Sequence, residues 1–117
     1  MTNLDGVTMF VSGTASNGVV DSRTQLQFSQ RGGRVIARYA GGTIQRGVLA
    51  GRWTGGRLAF RYAQRENDGA IHAGSSVCDV VEYQGRTRIV EHFTWKTRVG
   101  SGVNVFDEVC RAPMPCD

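Results

Sequence analysis

The chain is most strongly constrained by an alternation of apolar and polar side chains that recurs between glycine-containing turns. In the segment 57–65, Leu58, Phe60 and Tyr62 fall on one face of an extended strand, and arginines fall on the other. A period of two is typical of a half-buried β-strand, whereas a helix repeats about every 3.6 residues. Nothing in the sequence predicts a long helix, so we expect an all-β protein.

Turn signals at 32–33, 67–69 and 84–85 separate the alternating segments by about one strand length. Glycine supplies the positive φ that tight hairpins need. Because the connections are short and closure removes exposed edges, we predict a single small antiparallel up-and-down β-barrel of eight or nine strands. Such a barrel is either filled by side chains or able to hold one small ligand. The predicted strands are 5–12, 22–30, 33–40, 43–52, 57–65, 69–79, 80–84, 86–98 and 102–111.

The length of 117 residues limits the protein to one domain with one hydrophobic core. We place the barrel at 1–112 and an irregular tail, which contains both prolines, at 113–117. The longest apolar runs have three residues, far below the ~20 of a membrane-spanning helix. The segment 1–13 lacks the basic and apolar regions of a secretory signal. We therefore expect a cytoplasmic protein with no membrane partner.

The cysteines predict free thiols. Cys78, Cys110 and Cys116 are odd in number and form no CxxC pair, and thiols stay reduced in a cytosolic chain. Together with His72 and His92 they lack the short-spaced pair that anchors a zinc site. We expect no disulfide framework and no bound metal.

The charge pattern favours ordinary solvated faces. Thirteen arginines and one lysine stand against ten carboxylates, which gives a net charge of +4. Nucleic-acid binders usually concentrate basic residues in a stripe, often with interleaved aromatic residues. Here the arginines are spread from Arg23 to Arg111 and often alternate with apolar residues. We therefore expect no nucleic-acid partner.

The segment 86–96 predicts a carboxylate inside the barrel. On a strand, Ile89, Glu91, Phe93 and Trp95 lie on one face, and we take this aromatic face as the interior. An unpaired charge there is strongly disfavoured, so the pKa of Glu91 rises or a partner is supplied. The alternative is a structural role, in which Glu91 bonds to an arginine or tyrosine in a ligand-free core.

Two further residues are candidates for chemistry beside Glu91. Asp107 shares its strand face with three valines, which predicts a second inward carboxylate, so one acid could act as general acid and the other as base or anion. His72 lies in a segment of small side chains at 69–76, which suggests space beside it, although an exposed strand has the same pattern. Tyr39 and Tyr62 end apolar faces and are expected to pack, with their hydroxyls at the rim.

These residues support three hypotheses. In the first, the barrel binds a partly apolar small molecule between Tyr39, Tyr62, Phe93 and Trp95, with Glu91, Asp107 and His72 as orienting polar groups. In the second, the same barrel is an isomerase, cyclase or lyase without a cofactor, and Glu91 acts as general acid or base against Asp107 or His72. In the third, the core is filled and the protein is an interaction module that forms a homodimer through an exposed strand face.

Five motifs occur in a familiar order: YAGGTI at 39–44, GVLAG at 47–51, GRLAFRY at 56–62, DG at 68–69 and EHFTW at 91–95. Over about the last two thirds of its length, the chain resembles a family of short bacterial proteins named N-acetylglutamate synthase, with patterns similar to YxGGxIxxGxLxG, GxLxxRY and ExWxW. The resemblance implies a small calycin-like, lipocalin-like barrel. It places Glu91 and Trp95 on the acid and second tryptophan of ExWxW, and Phe93 on the first tryptophan.

The name of that family implies acetyl transfer, which this sequence does not support. Acetyl-CoA-dependent enzymes of the usual type hold pyrophosphate on backbone N–H groups at a helix N-terminus, and no such helix is predicted. The nearest loop string, at 52–57, ends in Arg57 where a small residue is required. We expect no acetyltransferase activity and no cofactor.

Overall fold

Eight antiparallel β-strands, each hydrogen-bonded to the next along the chain, make up the computed structural model, which describes residues 3–15 and 19–113. Within these residues there is no helix, as the alternating pattern predicts. The strands are β1 (Val7–Gly13), β2 (Gln25–Arg31), β3 (Arg34–Gly41), β4 (Ile44–Thr54), β5 (Arg57–Glu66), β6 (Ile71–Tyr83), β7 (Arg86–Trp95) and β8 (Ser101–Arg111).

The sheet closes on itself because β1 pairs with β8 as well as with β2. Closure leaves no strand with an unpaired edge. The predicted all-β, antiparallel up-and-down barrel is therefore confirmed. The strand count is eight, because the predicted strands 69–79 and 80–84 are one element. The ladder between β6 and β7 continues without a break from Gly74 to Tyr83.

Two-residue turns connect β2 to β3, β3 to β4, β4 to β5 and β6 to β7, and each turn contains a glycine with a left-handed backbone. Between β4 and β5, Gly55 and Gly56 both have positive φ, of 57° and 85°. Two consecutive residues with positive φ are what a two-residue type I′ hairpin requires, and the twist of that turn matches the twist of the strands.

The two ends of the barrel differ in what fills them. At one end, aliphatic side chains with no solvent exposure, including Leu4, Val7, Val35 and Leu58, form a dry core. The other end, which we call the mouth, is where the odd-numbered strands finish. It is bordered by residues 14–15, 19–24, 42–43, 67–70 and 96–100, which connect the strands. Most of the buried polar side chains lie between the middle of the barrel and the mouth.

The thiol prediction is only half right. Cys78 is buried and free, and burial raises the pKa of its thiol. Cys110 is disulfide-bonded, so the expectation of reduced thiols is wrong for this residue. Of the predicted tail, residues 114–117 lie outside the described residues. A membrane-spanning helix does not occur in the described ranges, and these ranges also contain no cluster of metal-binding side chains.

Candidate ligand-binding site

A small cavity lies inside the mouth half of the barrel. Its volume is about 30 Å³, which is room for roughly one or two water molecules. Val19 and Val20, from the connection between β1 and β2, pack against the core above it. The lining is mainly aromatic, with three polar side chains among the rings: Tyr39, Phe60, Tyr62, Phe93, Trp95 and Phe106, with Gln64, Glu91 and Asn104.

Glu91 points into this interior, as predicted from its place in the pattern of β7. Its side chain is 5% exposed, and its carboxylate accepts two hydrogen bonds. Ser76 Oγ donates to Oε2 at 2.6 Å, and Asn104 Nδ2 donates to Oε1 at 2.9 Å. No cation contacts the carboxylate among the described residues. Burial therefore raises the pKa of Glu91, although both hydrogen bonds act in the opposite direction.

The register of the sheet explains these partners. Glu91 lies opposite Asn104 on β8 and opposite Cys78 on β6, and Ser76 is two residues from Cys78 on the same face of β6. Asn104 Oδ1 in turn accepts a hydrogen bond of 2.9 Å from Thr14 Oγ1, in the connection that borders the mouth. Neutral donors thus hold the carboxylate, and among the described residues neither an arginine nor a tyrosine hydrogen-bonds to it.

A second polar chain runs from the interior to the mouth. Tyr39 Oη donates to Gln64 Oε1 at 2.9 Å, and Gln64 Nε2 donates to Glu66 Oε2 at 2.9 Å. Arg98 closes the chain through Nη2, which lies 2.8 Å and 2.9 Å from the two carboxylate oxygens of Glu66. Burial raises the pKa of Tyr39, so its hydroxyl stays protonated and acts as the first donor.

Trp95 carries the one unsatisfied buried side-chain polar atom found in the described part of the chain. Its ring is 9% exposed, and Nε1 has no hydrogen-bond partner. Tyr62 and Phe93 meet the ring edge to face, with centroids 5.3 Å and 6.0 Å away, and the Arg98 guanidinium lies 4.7 Å from the ring centre. A buried donor without a partner costs about 1–3 kcal/mol. The indole N–H is therefore a buried donor without a protein partner, in a residue that lines the cavity.

Two glycines make room for the tyrosines of the wall. Tyr39 pairs with Gly47 across β3 and β4, and Tyr62 pairs with Gly74 across β5 and β6. A Cβ at either glycine would collide with the facing tyrosine. The rings therefore lie directly on backbone. The prediction that both tyrosines pack is supported, but the Tyr39 hydroxyl is buried against Gln64 instead of lying at the rim.

His72 lies at the mouth, on the interior side of β6 near the beginning of that strand. Its Nδ1 lies 2.8 Å from Thr97 Oγ1, and its ring centroid is 6.1 Å from that of Trp95. His72 therefore does not line the cavity itself but contacts Trp95, which does.

Asp107 does not face the interior, so the predicted pair of inward carboxylates is wrong. Arg88 binds Asp107 through two hydrogen bonds of 2.7 Å and 2.9 Å and lowers its pKa. The inward residues of β8 are Asn104 and Phe106, both buried. The valines that share a face with Asp107 are partly exposed to solvent, which is why the apolar pattern misassigned the face.

Three residues of the site were not predicted: Ser76, Gln64 and Asn104. Gln64 continues the inward face of Leu58, Phe60 and Tyr62 on β5, and Ser76 lies between inward Gly74 and Cys78 on β6, so a polar residue in phase with an inward face was the available signal. Asn104 could be found only from the register that places it opposite Glu91.

Comparison with known proteins adds one positive result. A search of curated proteins and a search of solved structures give no match. A family model described as "Avidin-like protein" matches residues 2–109, which is nearly the whole chain. The closed eight-stranded barrel agrees with that match and with a calycin-like fold. The chain therefore belongs to the avidin-like protein family.

Proposed function

We propose that the protein binds a small, partly apolar molecule in the mouth half of the barrel, with the indole N–H of Trp95 as a hydrogen-bond donor to it. The observation that carries the proposal is the buried Nε1 without a partner, at the wall of an aromatic cavity. A filled core gains nothing from such a group, whereas a ligand acceptor would satisfy it. Membership of the avidin-like family supports the same function.

The polar groups restrict the chemistry of the ligand. No unpaired cation lies inside the described interior, and Arg98 is already bound to Glu66. An anionic group is therefore disfavoured beside Glu91, whereas a neutral acceptor suits Trp95. A molecule with a neutral, partly apolar head fits this description. Biotin, which streptavidin holds in an eight-stranded barrel, is the natural first probe.

Binding requires more space than the cavity now offers. A volume of about 30 Å³ is far below the several hundred Å³ of ordinary ligand pockets. Val19 and Val20 are the side chains above the cavity, and Thr43 Oγ1 holds the Val19 carbonyl at 2.8 Å. The ligand would occupy the place of these two side chains, so binding displaces the Val19–Val20 segment.

The enzyme alternative has less support. An isomerase, cyclase or lyase that uses Glu91 needs a second group facing the same substrate. Asp107 is bound to Arg88 on the outer face, and His72 borders the mouth beside Trp95. Binding is the function that the described geometry supports best.

Two measurements test the proposal. Native mass spectrometry of freshly purified protein detects a retained small molecule of any identity, and titration calorimetry measures binding of biotin. We expect Trp95→Phe to weaken binding about tenfold, because it removes one hydrogen bond and keeps a ring in place. Trp53→Phe, the same change at the opposite end of the barrel, is the matched control and leaves the affinity unchanged.

Two outcomes contradict the proposal. One is that no mass is retained and biotin gives no heat up to about 1 mM, the weak limit of specific binding. The other is that Trp95→Phe binds the retained or added ligand as tightly as the unmodified protein.

A further inference from the structure

Seven arginines share the outer face of three adjacent strands. The period-two pattern turns every one of them outward, and all are exposed. They come from β3, β4 and β5, and together we call them the arginine face: Arg34, Arg38, Arg46, Arg52, Arg57, Arg61 and Arg65. The expectation of dispersed charge rested on spacing along the chain, whereas in the barrel the same alternation gathers over half of the thirteen arginines on one surface.

The arginine face has almost no internal counter-charge. Among the seven arginines, Arg57 is the one with an ion pair in the described residues. Its Nε lies 3.8 Å from a carboxylate oxygen of the exposed Asp79. The other outward residues of β3, β4 and β5 include no carboxylate and are mostly aliphatic. Outside the arginine face, ion pairs are common. Four of the other arginines are each bound to a carboxylate: Arg23, Arg88, Arg98 and Arg111.

Charge is therefore polarised over the molecule. With seven arginines on the face, the remainder of the chain has seven basic side chains against ten carboxylates, so it is net acidic. The overall charge of +4 averages over these two regions. A surface of one sign attracts an oppositely charged partner far more strongly than the net charge indicates.

The placement of these arginines destabilises the folded protein when no anion is bound to them. Arg34 lies directly opposite Arg52, and Arg46 directly opposite Arg65. Like charges opposite one another across strands are destabilising. Bound anions between the guanidinium groups remove that repulsion. At the mouth end of the face, a groove of about 780 Å³ brings arginines together with Gln25 and Gln27, whose amides can donate to the same anions.

We infer that the arginine face binds the phosphate backbone of a nucleic-acid duplex. Guanidinium groups match phosphate oxygens through paired hydrogen bonds, and arginine is preferred over lysine for this purpose. The arginines of β5 recur every four residues from Arg57 to Arg65 and span ~27 Å of strand, which is the axial length of about eight base pairs.

The absence of aromatic side chains distinguishes a duplex from a single strand. Proteins that bind single strands stack the bases on exposed aromatic rings. Among the described residues, no outward position of β3, β4 or β5 is aromatic. The contacts available are therefore to the backbone, and recognition is independent of sequence.

Fluorescence anisotropy with a labelled 20-base-pair DNA of arbitrary sequence, over a series of salt concentrations, tests the inference. We expect log Kd to depend linearly on log salt, with a slope that reflects several phosphate contacts at about 0.9 for each. Arg34→Gln with Arg52→Gln lowers the slope by about two and weakens binding roughly 50-fold at 0.1 M salt. Arg46→Gln with Arg65→Gln does the same.

The matched control removes the same charge elsewhere. Arg23→Gln with Lys96→Gln changes two exposed basic residues outside the face, and we expect its duplex affinity to stay within about twofold of the unmodified protein. Circular dichroism melting confirms that each variant is folded. Loss of the opposed arginine pairs does not lower the midpoint, because it relieves repulsion.

Three results overturn the inference. The first is that the control variant loses as much affinity as the two face variants. The second is that affinity for the duplex is absent or insensitive to salt. The third is that dextran sulfate, or vesicles containing phosphatidylserine, bind more tightly than the duplex, which would make the face a site for a different polyanion.

Discussion

Gly47→Ala should destabilise the barrel even though it adds only one methyl group. The new Cβ would collide with the Tyr39 ring, because it would lie 2.3 Å from the ring atom Cζ. That ring cannot simply move aside, because its hydroxyl is held at 2.9 Å by Gln64 in the buried polar chain. The substitution therefore forces either a steric collision with the ring or the loss of the Tyr39–Gln64 hydrogen bond.

The magnitude follows from three contributions. Overpacking in a filled interior costs about 1–3 kcal/mol, and loss of the Tyr39–Gln64 hydrogen bond costs about 1 kcal/mol. Replacing glycine with alanine restricts the unfolded chain, which offsets about 0.4–1 kcal/mol. The net free energy of unfolding falls by about 2 kcal/mol. For 117 residues the unfolding entropy is about 0.25 kcal/mol/K, so the Tm falls by about 8 °C.

Differential scanning calorimetry measures this shift against a matched control. Gly13→Ala changes another strand glycine, but there the added Cβ lies at an ordinary 3.5 Å from Val105. We expect the control to hold or slightly raise the Tm. Tyr39→Leu in the Gly47→Ala background should recover part of the loss, because the collision disappears.

The reasoning fails if Gly47→Ala melts at or above the temperature of the unmodified protein. It also fails if the effects of Gly47→Ala and Tyr39→Leu simply add, because the two residues would then not be in the contact described.

Two further predictions concern the interior acid and the outer surface. Because burial raises the pKa of Glu91 above 4.5, the folded state keeps a proton that the unfolded state loses, so stability falls as pH rises above that value. In urea unfolding from pH 4 to 8, Glu91→Gln should flatten this decline, and an unchanged pH profile would contradict the assignment. On the outer face of β6–β8, Val77 and Val103 are 46% and 42% exposed and lie on either side of the same residue of β7. We expect these two valines to pack against a second copy of the chain in a homodimer. The double variant Val77→Glu with Val103→Glu should therefore sediment as a monomer. The control Val48→Glu, which lies on the arginine face, should still sediment as a dimer. A monomeric unmodified protein would exclude this pairing.

The fold was predictable because backbone alternation is a local property. Period two, glycine turns and short connections were sufficient to predict a closed antiparallel barrel. The prediction that a strand ends at residue 79 and another begins at residue 80 was wrong, because the ladder of β6 with β7 continues through both residues. No local signal distinguishes a long strand from two short ones in line.

The site was predictable only where one strand contained its own signal. Glu91 shares a face with Phe93 and Trp95, and large rings reliably mark the interior. Asp107 shares a face with valines, which also tolerate partial exposure on an outer surface, so the same reasoning gave the wrong face. The bonds from Ser76 and Asn104 to Glu91 depend on the register of three strands, which composition and spacing do not determine.

Arg98 makes two contacts inside the mouth, and a negatively charged ligand would compete with one of them. It is the counter-ion of Glu66, whose side chain is only 12% exposed, and it also lies over the Trp95 ring. A ligand whose carboxylate reaches the mouth can recruit this guanidinium only by leaving a largely dehydrated Glu66 without its counter-ion, which is costly. If the mouth holds a ligand as we propose, we expect compounds whose exposed end is uncharged, such as amides or esters, to bind more tightly than the corresponding acids, and biotin amide to bind more tightly than biotin.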